Sequence, residues 1–215
     1  MVVEQTLRNP ALLRLYKTHN QEPSKLLNHK SLSEVEGTDG PDWDRLLKNV
    51  VSLPSGNEHA YGYENAIEAL LSAMFYPALV HPKLQTEIHD GRKRVDITYT
   101  NMGNKGFFSW LSRHYPTPHI FFECKNYGNE IGNPELDQIS GRFSPSRGQF
   151  GIIVCRKIAD RAKFVERCRD TAKDHRGYVI ALEDADLIRL TEDVKGCLDF
   201  FELPLLKERF DRLVF

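Results

Sequence analysis

The chain has 215 residues, 40% of them hydrophobic, which is enough to bury one full core and makes a single main domain the default. Its 29 Lys and Arg nearly balance 30 Asp and Glu, so a net charge of -1 excludes a global polyanion-binding field and leaves any nucleic-acid contact to a local basic patch. The cysteines Cys124, Cys155, Cys168 and Cys197 form no CxxC pair and the histidines no HxH or HExxH pattern, which argues against a zinc site or a disulfide framework and for a reducing, cytoplasmic setting.

The N-terminus, MVVEQTLRNPALLRLYKTHN, breaks its apolar residues with charges and Pro10, unlike the core of a signal peptide. No later apolar run is long enough for a bilayer span, so no membrane contact is expected. Residues 1–58 read as a small helical N-terminal part, with short helices around 10–17, 23–29 and 43–51. Between the last two lies SLSEVEGTDGPD, rich in Ser, Gly and Asp and read as an exposed loop. From Tyr63, the apolar residues Ala66, Ile67, Leu70, Leu71 and Met74 recur on one helix face, and Pro77 ends the pattern. In LQTEIHDGRKRVDITY, Asp90-Gly91 supplies a tight turn between two strands of a hairpin. HIFFECK is a third strand. NPELDQISGRF starts a helix, with Asn133 expected as N-cap and Pro134 in the first helical position. FGIIVCR is a strand covered on both faces, residues 160–174 form an amphipathic helix closed by His175, Arg176 and Gly177, and YVIAL is a further strand. The order predicts an α/β fold with a central mixed sheet flanked by helices.

Two charges in HIFFECK do not belong on a core strand. Side chains alternate across a sheet, so Glu123 and Lys125 share one face while Cys124 faces the other with Phe122 and Ile120. In RVDITY the same alternation sets Asp96, with Arg94 and Thr98, opposite Val95, Ile97 and Tyr99. Pairing of the two strands would bring Asp96 to Glu123, and a hard divalent cation is the ordinary relief for two carboxylates held close. On the long helix, at ~100° per residue, Glu64 borders the apolar stripe beside Leu71 and Glu68 turns further toward solvent. The bland reading of Glu64 is an acid in the first helical turn, favoured by the helix dipole.

The helix with Glu64, the RVDI strand with Asp96, the ECK tripeptide Glu123–Lys125 and the next helix with Gln138 together resemble the PD-(D/E)XK nuclease superfamily, most closely its restriction-endonuclease branch. The resemblance covers about residues 61–156. Its motifs are short, but they occur in the family order and on the expected elements. Val95 stands where the superfamily name has proline, and an unusually long segment separates Asp96 from Glu123. The resemblance implies a restriction-endonuclease-like core in residues 59–215 and a metal-dependent endodeoxyribonuclease acting in prokaryotic restriction, antiviral defence or DNA processing. It implies that Asp96 and Glu123 bind Mg²⁺, with Mn²⁺ able to substitute, that the backbone carbonyl of Cys124 is a further ligand, and that Glu64 helps hold a second metal or its water. Lys125 would orient the attacking water or stabilise charge on the phosphate, and Gln138 would support the site. A homodimer would supply one site per strand, and a defence system would supply a partner subunit. The alternatives are an inactive nucleic-acid-binding or assembly subunit with the same fold, and a junction-type nuclease sharing the site.

Arg94, Arg142 and Arg147, with Lys83, Arg92 and Lys93, lie near these segments in sequence and are candidate phosphate contacts. For residues 92–94 a solvated turn is the equal alternative. The segment 101–118, with Phe107, Phe108, Trp110, Leu111 and Tyr115, reads as a satellite helix on the sheet edge, the alternatives being a wedge over DNA or a dimer contact.

Overall fold

The computed structural model describes His29 and residues 39–127, 131–196 and 202–215. The short helices read at 10–17 and 23–29, His29 excepted, the loop as far as residue 38, and Cys197 lie outside the described residues. The first described helix, α1 (Trp43–Val51), is capped by Asp42, whose carboxylate accepts from Arg45 N at 3.0 Å. A short 3₁₀ turn (Asn57–His59) leads into α2 (Ala60–Phe75). The strands β1 (Leu79–Ile88) and β2 (Lys93–Asn101) are followed by α3 (Gly106–His114), β3 (His119–Lys125) and α4 (Asn133–Ser140). Then come β4 (Phe150–Cys155), α5 (Arg161–Lys173), β5 (Tyr178–Glu183), α6 (Asp184–Gly196) and α7 (Pro204–Val214). None of these helices is long and apolar enough to cross a membrane.

The five strands lie in chain order, β1 to β5, in one sheet. β1, β2 and β3 are antiparallel neighbours, and β3, β4 and β5 are parallel. The change of direction follows from the connections: a tight turn joins β1 to β2, whereas the parallel pairs need a crossover, which α4 and α5 provide. The turn has the expected chemistry. Asp90 (φ 57°) and Gly91 (φ 80°) both adopt positive φ and Arg92 N donates to His89 O at 3.2 Å, the pattern of a type I′ hairpin.

One sheet face packs on α2. Its stripe Tyr63, Ile67, Leu70, Leu71 and Met74 is buried, the Phe75 ring stacks on Phe122, and Tyr99 meets Phe122 edge-on. On the opposite face Phe121 stacks on Phe143, which follows α4. Successive residues of β3 therefore point to opposite layers, as the alternation requires. β4 and β5 are buried almost throughout, as parallel strands covered on both sides must be.

Two local expectations shift and a third holds. The N-cap of α4 is Gly132, one residue before Asn133, because Glu135 reaches back to accept from Gly132 N at 2.7 Å; Asn133 and Pro134 open the helix itself. α1, assigned from sequence to a separate N-terminal part, shares the core: Val50 is fully buried in it, and Arg156 on the far side of the chain donates to Val50 O at 3.0 Å. The 101–118 segment forms the satellite helix α3, and its aromatics face inward. Phe107 and Trp110 pack against Phe210 of α7, which also meets Tyr115, Phe150 and Tyr178.

Helices α6 and α7 complete the layers beyond the last expected strand. Asp186 at 6% exposure holds them together, accepting from Glu183 N at 3.0 Å and pairing with Arg209 of α7 at 2.8 Å. Because Phe210 is the shared neighbour of five aromatic rings drawn from α3, β4, β5 and the loop after α3, Phe210→Ala should destabilise the fold by about 3–5 kcal/mol, read as a lowered urea midpoint.

Candidate functional site

The register of the hairpin and β3 assembles the charged residues. Leu84↔Ile97 and Thr86↔Val95 on one side of β2 set Gln85 level with Asp96, and Ile97↔Phe122 on the other side sets Asp96 level with Glu123. Formal pairing of β2 with β3 ends at Ile97↔Phe122, one step short of the two acids. Beyond that point the Asp96 carboxylate takes over from the backbone and accepts from Cys124 N at 2.8 Å through Oδ2. The strands thus part where the acids lie, and a side chain satisfies the amide left open by the parting.

Glu123 is fully buried, at 0% exposure. Its Oε2 accepts from Gln138 Nε2 at 2.6 Å and lies 3.5 Å from Lys125 Nζ, and Lys125 Nζ also donates to Gln138 Oε1 at 3.1 Å. Glu123, Lys125 and Gln138 form a closed triangle, with the Lys125 side chain only 11% exposed. The other oxygen, Oε1, lies 3.2 Å from Arg142 Nε, yet that N–H is aimed at Arg94 O, 2.6 Å away. Oε1 therefore feels the guanidinium charge without receiving a hydrogen bond.

Burial dominates the electrostatics. Loss of solvation, reinforced by the Asp96 charge, pushes the Glu123 carboxyl up to about 8, against the lowering pull of Lys125 and Arg142. Glu64 is also raised, first by burial and then by Asp96, while a hydrogen bond from Gln85 Nε2 to Glu64 Oε2 at 2.5 Å and the charges of Lys125 and Arg94 oppose the shift. This coupling puts Glu64 of α2 within electrostatic reach of the strand acids. α2 begins at Ala60 with no acid in its first turn, so the helix-dipole reading of Glu64 loses its basis. Glu68 departs from the solvent-facing position expected of it. It is half-buried and accepts from Ser72 Oγ at 2.5 Å, a hydroxyl that also meets Tyr99 OH at 2.9 Å.

The Cys124 thiol is buried and unpaired with any other sulfur, and burial together with the neighbouring acids holds it well above the ordinary thiol range. Such a thiol is inert. Gln138, named on the resemblance alone, bridges Glu123 and Lys125. Arg142, expected as a phosphate contact, has a side chain only 12% exposed and is held against Glu123 while also donating to Gln138 O. Arg147 donates through Nε and Nη2 to Arg142 O, so the two arginines of this loop form one unit. Arg94 reaches the site through its backbone carbonyl and through its charge on Glu64. Arg92 stays at the hairpin tip on His89 O, and Lys93 donates to Gly141 O at 2.9 Å.

Sequence reasoning assigned no role to Asn126, which follows Lys125. It is buried, and its side-chain amide donates to Pro54 O and Gly56 O, each at 3.1 Å, while its backbone carbonyl accepts from Gly56 N at 2.6 Å. Arg156 Nε completes the clamp on Asn126 Oδ1 at 2.7 Å. The one local signal was an amide residue ending a buried strand, and amides at such positions satisfy loop backbone.

The oxygen donors suit a hard divalent cation. Glu123 Oε1 is a buried acceptor without a hydrogen bond, and Asp96 lies level with it on the next strand. Among the described residues no group of three or more His, Cys, Asp and Glu side chains is gathered as a ready-made metal cage. Mg²⁺ needs none, since it is commonly held by one or two carboxylates and keeps several waters. No family model matches this chain, and neither a curated protein nor a solved structure matches it significantly.

Glu123 makes a signed prediction about pH. Its carboxyl is raised in the fold from an ordinary 4.5 to about 8, so its contribution to stability is full below about 4.5, falls as pH rises, and is lost above about 8. In EDTA, Glu123→Gln should melt near the parent at about pH 5 and above it at about pH 9. Parallel melting curves across that range would overturn the assignment of a neutral, buried Glu123.

Proposed function

We propose that this protein is a Mg²⁺-dependent DNA endonuclease of the PD-(D/E)XK type, with a restriction-endonuclease-like core, acting in prokaryotic restriction, antiviral defence or DNA processing. The observation that carries the reading is the row Asp96, Glu123 and Lys125 on one face of two parting strands, with a buried oxygen of Glu123 left open. A fully buried carboxyl with one oxygen that accepts no hydrogen bond costs roughly several kcal/mol in lost solvation, which the nearby Arg142 charge offsets only in part. A cation-binding role gives that cost a return.

In this reading Asp96, Glu123 and the Cys124 carbonyl hold the ion, with Glu64 placed to hold a second ion or its water. When bound, Mg²⁺ supplies Lewis-acid polarisation of the phosphate and a lowered pKa for coordinated water. The chain's own residues do the rest. Gln138 fixes the Glu123 carboxylate and the Lys125 ammonium relative to one another through hydrogen bonds to both. Lys125 sets a positive charge beside the site to offset the negative charge that grows on the phosphate. Burial and the Asp96 charge raise the Glu64 carboxyl, which makes it a stronger base beside the site. Gln85 orients its carboxylate. Duplex cutting by two copies of one site fits a homodimer.

The decisive assay is incubation of plasmid DNA with the purified chain in Mg²⁺, Mn²⁺ or EDTA. Cleavage is expected with either metal and none in EDTA, while cutting in EDTA would overturn the mechanism. Mg²⁺ should also raise the melting temperature of the parent and leave Glu123→Gln unmoved. Linear duplex, single-stranded and branched DNA run side by side separate a restriction-type enzyme from a junction-type one.

Adjacent residues should separate stability from activity. Cys124→Ala deletes a buried sulfur and is expected to cost about 1 kcal/mol while leaving cleavage nearly intact. Lys125→Ala should reduce cleavage by about 100-fold or more with little loss of melting temperature. Glu64→Gln should slow cleavage far more than Glu68→Gln. A stable but inactive Cys124→Ala protein would redirect the mechanism to the thiol.

A further inference from the structure

Arg142 stands against the acid on which the metal reading depends, yet its hydrogen bonds go elsewhere. Its Nε lies 3.2 Å from Glu123 Oε1 but donates to Arg94 O at 2.6 Å, and its Nη1 donates to Gln138 O. Arg94 precedes Asp96 by two residues on β2, and Gln138 lies on α4. One guanidinium therefore spans the strand that carries Asp96 and the helix that carries the amide bound to Glu123. A backbone carbonyl accepts a hydrogen bond without bringing a full charge. The guanidinium is thus fixed by neutral partners, and its charge is left directed at Glu123.

The turn that bears it is pinned as well. Lys93 Nζ donates to Gly141 O at 2.9 Å, and Arg147 donates through Nε and Nη2 to Arg142 O at 3.3 and 3.2 Å. Lys125 is placed differently. Its ammonium is shared between Glu123 Oε2 and Gln138 Oε1, so its position depends on the carboxylate that it faces. Arg142 owes its position to backbone carbonyls and does not need Glu123 to hold it.

A charge fixed in this way acts in two directions. With no ion present it offsets part of the cost of burying Glu123, whose Oε1 receives no hydrogen bond. Toward a cation it is a like charge beside the oxygen that would serve as ligand, and like charges repel more strongly in a buried site than in water. A phosphate contact is the other use for an arginine here. A side chain that is 12% exposed, with two N–H groups committed to carbonyls, has little left to present to one.

We infer that Arg142 is a positioning residue that acts through Glu123, a fixed counter-charge that steadies the acid when no ion is bound and weakens the hold of the site on a divalent cation. This role rests on the nuclease reading above, which makes Glu123 a metal ligand. It implies an opposition that packing alone does not produce: removal of the charge should loosen the ion-free fold and tighten the ion.

The test is titration of the full chain with Mn²⁺ alone, the free ion being read by electron paramagnetic resonance, in the parent and in Arg142→Met, Arg142→Lys and Glu123→Gln at one pH. A melting curve in EDTA for each protein and the plasmid assay in Mg²⁺ run beside it. Arg142→Met, unbranched and uncharged, should bind Mn²⁺ about tenfold or more tightly than the parent while melting lower in EDTA. Arg142→Lys keeps the charge and should bind close to the parent, and Glu123→Gln should lose the site. Where Arg142→Met does not fold, Arg142→Gln, whose amide can still reach a carbonyl, makes the same comparison. Unchanged or weaker Mn²⁺ binding in the neutral variant would overturn the inference, as would equal tightening in Arg142→Lys, or no saturable binding in parent and variant alike. Plasmid cleavage with Mn²⁺ affinity unchanged in the neutral variant removes the counter-charge and leaves the nuclease reading standing. Tightened binding that Glu123→Gln abolishes, without cleavage of DNA by the parent, supports the counter-charge and removes the nuclease reading.

Discussion

The arrangement depends on one group, the Glu123 carboxylate, buried in the sheet with one oxygen unpaired. Burial without full hydrogen bonding is among the costlier things a fold can do with an acid, and each neighbour is arranged around that cost. Gln138 and Lys125 satisfy one oxygen, Arg142 lends its charge to the other while giving its N–H elsewhere, and Asp96 adds repulsion rather than relief. A fold built for stability alone would put a leucine there. The strain persists because β3 stays paired with β4 through Lys125 and is held by aromatic contacts in both layers.

The surrounding framework is rigid where the site needs it. Asn126, directly after Lys125, ties the loop before α2 to the end of β3, and Arg156 ties Asn126 in turn to the backbone of Val50 and Leu53 and to Asp184. The Arg156 guanidinium also lies 4.4 Å from the centre of the Tyr63 ring, one turn before Ile67 and adjacent to Glu64. One cation therefore links α1, α2, β3 and α6. Movement of the helix that carries Glu64 would have to break this link, so the spacing between Glu64 and the strand acids is set by packing rather than by the acids themselves, which repel.

Local pattern made much of this legible. The alternation in HIFFECK put Glu123 and Lys125 on one face, Asp90-Gly91 announced the hairpin, and the stripe from Tyr63 to Met74 oriented α2 well enough to choose Glu64. These features depend on periods of two and 3.6 residues and on a turn that demands positive φ, all of which a linear chain displays. The hydrogen bond of Gln85 to Glu64, the charge of Arg142 on Glu123 and the Asn126 clamp join residues 21, 19 and about 70 positions apart, and no local period encodes them. α6 and α7 followed the last expected strand without an expectation of their own. α7 did carry a signal, with Pro204 at its start and Leu205, Leu206, Phe210 and Leu213 on one face, but where it docks is decided by the distant ring of Phe107.

Charge balance ties these observations to function. Glu64, Asp96 and Glu123 face Lys125, Arg142 and the charge of Arg94, so the site nearly cancels itself. The whole chain is at -1. Neither supplies the excess positive charge that a polyanion would need, and burial with the Asp96 charge raises the Glu123 carboxyl against the pull of Lys125 and Arg142. Under the nuclease reading, Asp96 and Glu123 would hold a divalent cation whose charge would offset the acids beside a bound phosphate. Substrate affinity and catalytic competence would then depend on the same two acids, because the cation they would hold is also the positive charge that the site otherwise lacks.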